Sequence, residues 1–194
     1  MQIKKLENCY IIRIEPGELF MANLEKFARD TQIGFGWVSS IGGGLKEVKY
    51  AFSVGFKTGY IIKDTEGPLE LLNAVGCIAW DHDDPSQPAV HLHGTFIDQE
   101  LEKAFGGHLL EAKVVGLTIE VKVEVLSQEK ITRKLDERVN VKLLNLPPYS
   151  TQISPSQNNS NNFPLGLAVP VGIIIFGLLA MIMFWATQKS KKTK

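Results

Sequence analysis

The sequence predicts an α+β domain with a largely antiparallel sheet and one prominent helix. Strand-type stretches recur from residue 8 to residue 144, several of them alternating apolar and polar residues with the period of two that a half-buried strand shows. Only one stretch carries helical spacing instead, and the connections between stretches are short and marked by Gly, Pro and Asp.

Asn8 to Ile14 is an apolar run stopped by Pro16-Gly17, a first strand. Leu19, Phe20, Leu24, Phe27 and Ala28 then recur at three and four residue intervals, which predicts the helix from about Glu18 to Thr31. Phe35 to Ile41, Lys46 to Val54, Gly59 to Lys63, Leu69 to Trp80 and Ala89 to Phe96 follow as strands. Leu109 to Val125 reads as one long strand, with Val115, Leu117, Ile119, Val121, Val123 and Val125 on a single face, and Val139 to Leu144 closes the series. Gly42-Gly43-Gly44 is expected to be a tight turn, since no Gly-Lys-Ser/Thr follows to make a phosphate cradle. No Gly-x-Ser-x-Gly elbow supports a serine hydrolase.

The chain divides into residues 1–146, one domain with a core; 147–164, a spacer rich in Pro, Ser, Asn and Gln; 165–186; and a basic tail, 187–194. Leu165 to Ala186 contains no charged residue. A helix of that length spans about 33 Å, enough for a hydrocarbon core of about 30 Å, so a single-pass transmembrane helix is expected. Trp185 stands where an interfacial aromatic belongs, followed by four lysines. The N-terminus lacks an export signal, which predicts tail-anchored insertion with the domain in the cytoplasm, although the lysines would by themselves favour the cytoplasmic side for the tail. Cys9 and Cys77 are too few for a disulfide framework and sit in apolar runs, so both are expected buried and reduced.

Charge narrows the partners. Four of the 21 basic residues lie in the last six positions while all 21 acidic ones precede them, leaving 17 basic against 21 acidic residues elsewhere, a net −4. An acidic domain lacks the electrostatic footprint of a nucleic-acid binder.

The chemistry concentrates in histidine. Of four in the chain, three fall within 91–108: His91 and His93 in Val90-His91-Leu92-His93-Gly94-Thr95-Phe96, and His108 after Gly106-Gly107. Residues i and i+2 of a strand share a face with about 6–7 Å between Cα atoms, a chelating pair. Two glycines before the third let backbone approach closely. Three neutral imidazoles suit a zinc-like ion and leave a fourth position for water or a ligand. His82, in an acidic turn ending at Pro85, reads as a solvated loop residue. Glu70 is the one carboxylate inside an apolar strand and thus the weak candidate for proton transfer, although an edge position facing solvent is the simpler reading.

These pieces, in this order, resemble the plants-and-prokaryotes-conserved (PPC) domain family from about Tyr10 to Leu144. The matching stretches are Arg13 to Glu18, Ser39-Ser40-Ile41-Gly42, Glu70 to Gly76, His91-Leu92-His93, and Gly106-Gly107-His108-Leu109 through Ala112. The resemblance implies an antiparallel α+β fold assembled as a homotrimer. It also implies that His91, His93 and His108 hold zinc, as in prokaryotic members and in relatives similar to acetolactate decarboxylases. Plant members add Arg-Gly-Arg-Pro hooks for DNA, which this chain lacks, and carry Gly-Arg-Phe-Glu-Ile-Leu where this chain has Gly67-Pro68-Leu69-Glu70-Leu71-Leu72. A transmembrane tail is not part of the usual family pattern.

The expected function is a membrane-anchored, homotrimeric metal-binding module that senses a small-molecule ligand or serves assembly. A zinc-dependent enzyme, with Glu70 moving a proton, and a DNA-binding regulator are the alternatives.

Overall fold

A computed structural model describes residues 1–53, 59–98, 100 and 102–148. Met1–Pro148 forms one compact unit. The expected spacer, transmembrane helix and basic tail fall on 149–194 apart from Pro147 and Pro148, and so lie outside the described residues. Among the described residues no helix is long and apolar enough to cross a membrane.

Eleven strands form one sheet: β1 (Gln2–Lys5), β2 (Cys9–Ile14), β3 (Phe35–Ile41), β4 (Gly44–Ser53), β5 (Tyr60–Thr65), β6 (Leu69–Asp81), β7 (Pro88–Asp98), β8 (Lys103–Val115), β9 (Ile119–Ser127), β10 (Thr132–Asp136) and β11 (Val141–Leu144). The spatial order is β1-β2-β9-β3-β6-β7-β8-β4-β5, antiparallel along that path. The β10–β11 hairpin attaches by a short parallel pairing of β10 with β6, Thr132 to Trp80 and Arg133 to Asp81. The fold is the mostly antiparallel sheet with one helix that the alternation predicts.

The helix, α1 (Phe20–Thr31), packs on one face of the sheet. Phe20, Leu24, Phe27 and Ala28 are buried with Ile78, Leu92, Phe96 and Leu109, and each of the large apolar side chains so removed from water contributes about 1.5–3 kcal/mol before chain entropy is charged. Leu19, expected on this stripe, is exposed instead. Its backbone is extended and bridges Lys113, so the helix starts at Phe20 rather than Glu18. Leu19 supplies no side-chain cap; the Glu111 carboxylate, on β8, accepts from the Met21 and Ala22 N–H groups at 2.8 and 3.2 Å.

The long strand expected over Leu109 to Val125 is two strands. A turn at Gly116–Thr118, with Gly116 in the left-handed region at φ 68°, separates β8 from β9. It also resets the phase: Ala112 and Val114 face the core on β8, whereas Ile119, Val121 and Val123 do so on β9. Leu117, placed by the alternation on one face with Ile119, Val121 and Val123, is 73% exposed. Two strands lack any sequence signal, β1 (Gln-Ile-Lys-Lys) and β10 (Thr-Arg-Lys-Leu-Asp), because neither alternates. Cys77 is buried as expected, while Cys9 is only half-buried; both thiols are unpaired.

The face of the sheet opposite α1 is divided. At one end the hairpin covers it, where Phe35, Cys77 and Ala79 pack with Ile131 and Leu144. Elsewhere it stays open: Trp37, Ile41 and Val75 are 45%, 66% and 42% exposed, while their neighbours Val38 and Ala74 are buried on the helix side.

Candidate metal centre

The register of β6, β7 and β8 assembles the three histidines on that open face. Leu92, Gly94 and Phe96 of β7 turn inward, so His91 and His93 turn outward. His93 stands directly opposite His108 of β8, and His91 opposite Cys77 of β6. Ring centroids are 5.1 Å apart for His91 and His93, 4.6 Å for His91 and His108, and 5.5 Å for His93 and His108. One ring nitrogen from each lies within 4.8 Å of the others. The glycine pair before His108 serves strand packing: a Cβ on Gly106 would sit 2.2 Å from the Gly94 carbonyl oxygen of β7.

Burial favours the neutral form of His91 and His108. It pushes His91 down from its ordinary value to about 4, with further depression from the Arg133 guanidinium, His108 and His93. His108 is lowered by burial first, then by His93 and Arg133, against a hydrogen bond to the Leu92 backbone that raises it. Its Nδ1 is buried without a hydrogen-bond partner. A neutral imidazole with a free nitrogen is the form that ligates a metal ion.

In the metal-free chain the same shift makes stability depend on pH. The unfolded chain takes up this proton near its ordinary value of 6.5 and the folded chain only near 4, so between the two the unfolded state binds more protons. Urea midpoints of chelator-treated protein should therefore be level above about pH 7 and fall as the pH drops through that interval. His91→Asn should flatten the fall. An equally steep fall in that variant would assign it to other groups.

The triad forms the floor of a cavity of about 560 Å³. One wall is the β4–β5 arm with Phe52, Tyr60 and Ile62; the other is the hairpin, with Arg133, Val141 and Lys142. The size is that of a small-molecule site. Val141 and Lys142 lie in the strand read over Val139 to Leu144, whereas Arg133, on β10, carries no motif and no strand signal.

Glu70 is exposed on β6, opposite Ile97, four residues of β7 beyond His93 and outside the cavity wall. At about 3.3 Å per residue that is a separation of about 13 Å along the strand. His82 lies in the turn after β6, as expected, but is half-buried with Nδ1 3.3 Å from Thr132 Oγ1.

The fold has counterparts among solved structures. A crystal structure of a candidate DNA-binding protein from Ralstonia eutropha JMP134 is 29% identical over 75% of this chain and 96% of its own, with a TM-score of 0.66. A metal-containing protein from Archaeoglobus fulgidus is 26% identical over 74% of this chain and 94% of its own, with a TM-score of 0.61. A plant- and prokaryote-conserved (PPC) protein from Pyrococcus horikoshii is 25% identical over 75% and 95%, with a TM-score of 0.62. No curated protein matches the sequence. The family profile of the Plants and Prokaryotes Conserved (PCC) domain covers residues 1–127, from β1 to the end of β9, and the chain accordingly belongs to that family.

Proposed function

We propose that this protein is a homotrimeric metal-binding module, tethered to a membrane by residues 165–186, in which His91, His93 and His108 hold a zinc-class ion at the floor of a ligand pocket. The observation that carries this reading is the convergence of three imidazoles, two of them held neutral by burial, on one point of an open cavity. Nitrogens around tetrahedral zinc lie about 3.3 Å apart, so small side-chain rotations close the gap from 4.8 Å. The Archaeoglobus relative is itself described as metal-containing.

Trimer assembly is supported by the uncovered apolar strip of Trp37, Ile41 and Val75, an unusual exposure unless another chain covers it. The unpaired thiols of Cys9 and Cys77 fit a domain on the reducing, cytoplasmic side. Catalysis gains little: among the described residues lining the cavity there is no carboxylate, and Glu70 stands apart. A DNA-binding role draws on the naming of the Ralstonia relative and is opposed by the net −4 of the domain.

The test combines metal analysis with light scattering on purified full-length protein. It should carry about one zinc per chain and the protein mass of a trimer, and Trp37→Asp/Ile41→Asp should release monomers, because six buried charges cannot be paired at a threefold interface. A wild-type monomer, or a double variant still trimeric, would remove the assembly claim. Strong DNA retention that weakens steeply with salt would favour the regulator reading instead.

A further inference from the structure

The metal reading leaves one cavity residue unused. Arg133 comes from the β10–β11 hairpin, beyond the stretch that the family profile covers. Its Nη1 donates to the Lys142 carbonyl oxygen at 2.9 Å and its Nη2 reaches Cys77 Sγ at 3.5 Å, a weak acceptor. Its Nε is buried with no partner, and no carboxylate pairs with the group among the described residues. The neighbouring cation is committed elsewhere, since Lys142 is held by Asp81. A guanidinium cannot shed its charge, so a partly buried one that lacks a counter-ion is a place prepared for an anion.

The rest of the cavity decides which anion. Phe52, Tyr60, Ile62, Val90 and Leu110 present apolar surface to its interior, and a single uncommitted cation faces them. Phosphate, with nearly two charges and a firmly held hydration shell, is poorly matched to that lining; a monoanion with an apolar body is well matched. We propose that the cavity binds a small monocarboxylate, its carboxylate accepting hydrogen bonds from Arg133 above the histidine triad and its hydrocarbon portion lying against Phe52, Tyr60 and Ile62. The proposal rests on the reading of the cavity as a ligand site and names the ligand class, but its anchor is Arg133 and does not depend on the metal.

Hexanoate, its uncharged counterpart hexanamide and inorganic phosphate can be titrated calorimetrically into full-length protein, both zinc-loaded and chelator-stripped. Hexanoate should bind at least about tenfold tighter than hexanamide, the worth of one charge-assisted hydrogen-bond pair. Arg133→Gln should abolish that preference, and Arg133→Lys should restore part of it. Equal binding of hexanoate and hexanamide by the wild type, tighter binding of phosphate, or wild-type hexanoate affinity in Arg133→Gln would overturn the proposal. Protein that takes up no zinc but keeps the Arg133-dependent preference would reject the metal centre alone.

Discussion

Replacing both His91 and His93 with alanine should reduce bound zinc from about one ion per chain to none, while the domain remains folded. Losing two of three protein ligands leaves a lone imidazole, which no zinc site of three-histidine type survives. The effect on stability should be equally large but conditional. An ion present at about a thousand times its dissociation constant stabilises the folded state by about 4 kcal/mol, a sizeable part of the 5–15 kcal/mol typical of a domain. The double variant forfeits that increment and should become indifferent to chelator. Its metal-free stability should stay close to that of metal-free wild type, because the histidines project from the face opposite the helix and none belongs to the core that Phe96, Leu92 and Leu109 form beneath them. His82→Ala is the control: it removes the one histidine away from the cluster and should leave zinc content untouched. Elemental analysis and urea unfolding with and without chelator read both quantities. Unchanged zinc in the double variant would end the case for this site.

What made the triad legible in the sequence was its dependence on local geometry. His91 and His93 share a face wherever residues 91–93 are extended, and the alternation with Leu92 and Phe96 says which face. The pairing that brings His108 opposite His93 is non-local, yet β7 and β8 are consecutive in the chain and antiparallel, the commonest arrangement. Arg133 is another matter. It follows Cys77 by 56 positions and reaches it only because a hairpin without alternation folds back over the sheet, an outcome decided by the small cluster of Phe35, Cys77, Ala79, Ile131 and Leu144. The single strand read through Leu109 to Val125 failed for a related reason. Alternation on either side of Gly116 is genuine, but a tight turn shifts its phase by one residue, and a count of alternating positions cannot register that shift. Likewise the start of α1 is set by Glu111, a carboxylate ninety residues from the N–H group it accepts, so no local capping signal marks it.

The dependence of the site on backbone approach leads to the second large effect, in Gly76→Ala. Gly76 lies in β6 opposite Leu92, between the pairs Val75–His93 and Cys77–His91. A Cβ there would sit 1.9 Å from the His91 carbonyl oxygen and 2.9 Å from Leu92 Cα, and both obstacles are backbone, which cannot swing aside as a side chain would. To reach ordinary contact, β7 must move away from β6 by more than about an ångström at the point where His91 and His93 are held. Overpacking of this kind costs about 1–3 kcal/mol, and more where backbone must shift, so a loss of about 3 kcal/mol is expected in the metal-free domain. Because the displaced residues are the proposed ligands, zinc affinity should fall as well, by about ten- to a hundredfold for a misplacement of that size. Gly116→Ala separates this mechanism from a general intolerance of alanine. At φ 68° the substitution strains the turn by about 1–2 kcal/mol, yet nothing lies within 4 Å of its Cβ and the turn touches no histidine. It should therefore lower stability modestly and leave zinc binding as it is. If Gly76→Ala retained both the wild-type urea midpoint and the wild-type zinc content, the close β6–β7 approach would not be what positions the triad, and the link from strand register to metal site would fail with it.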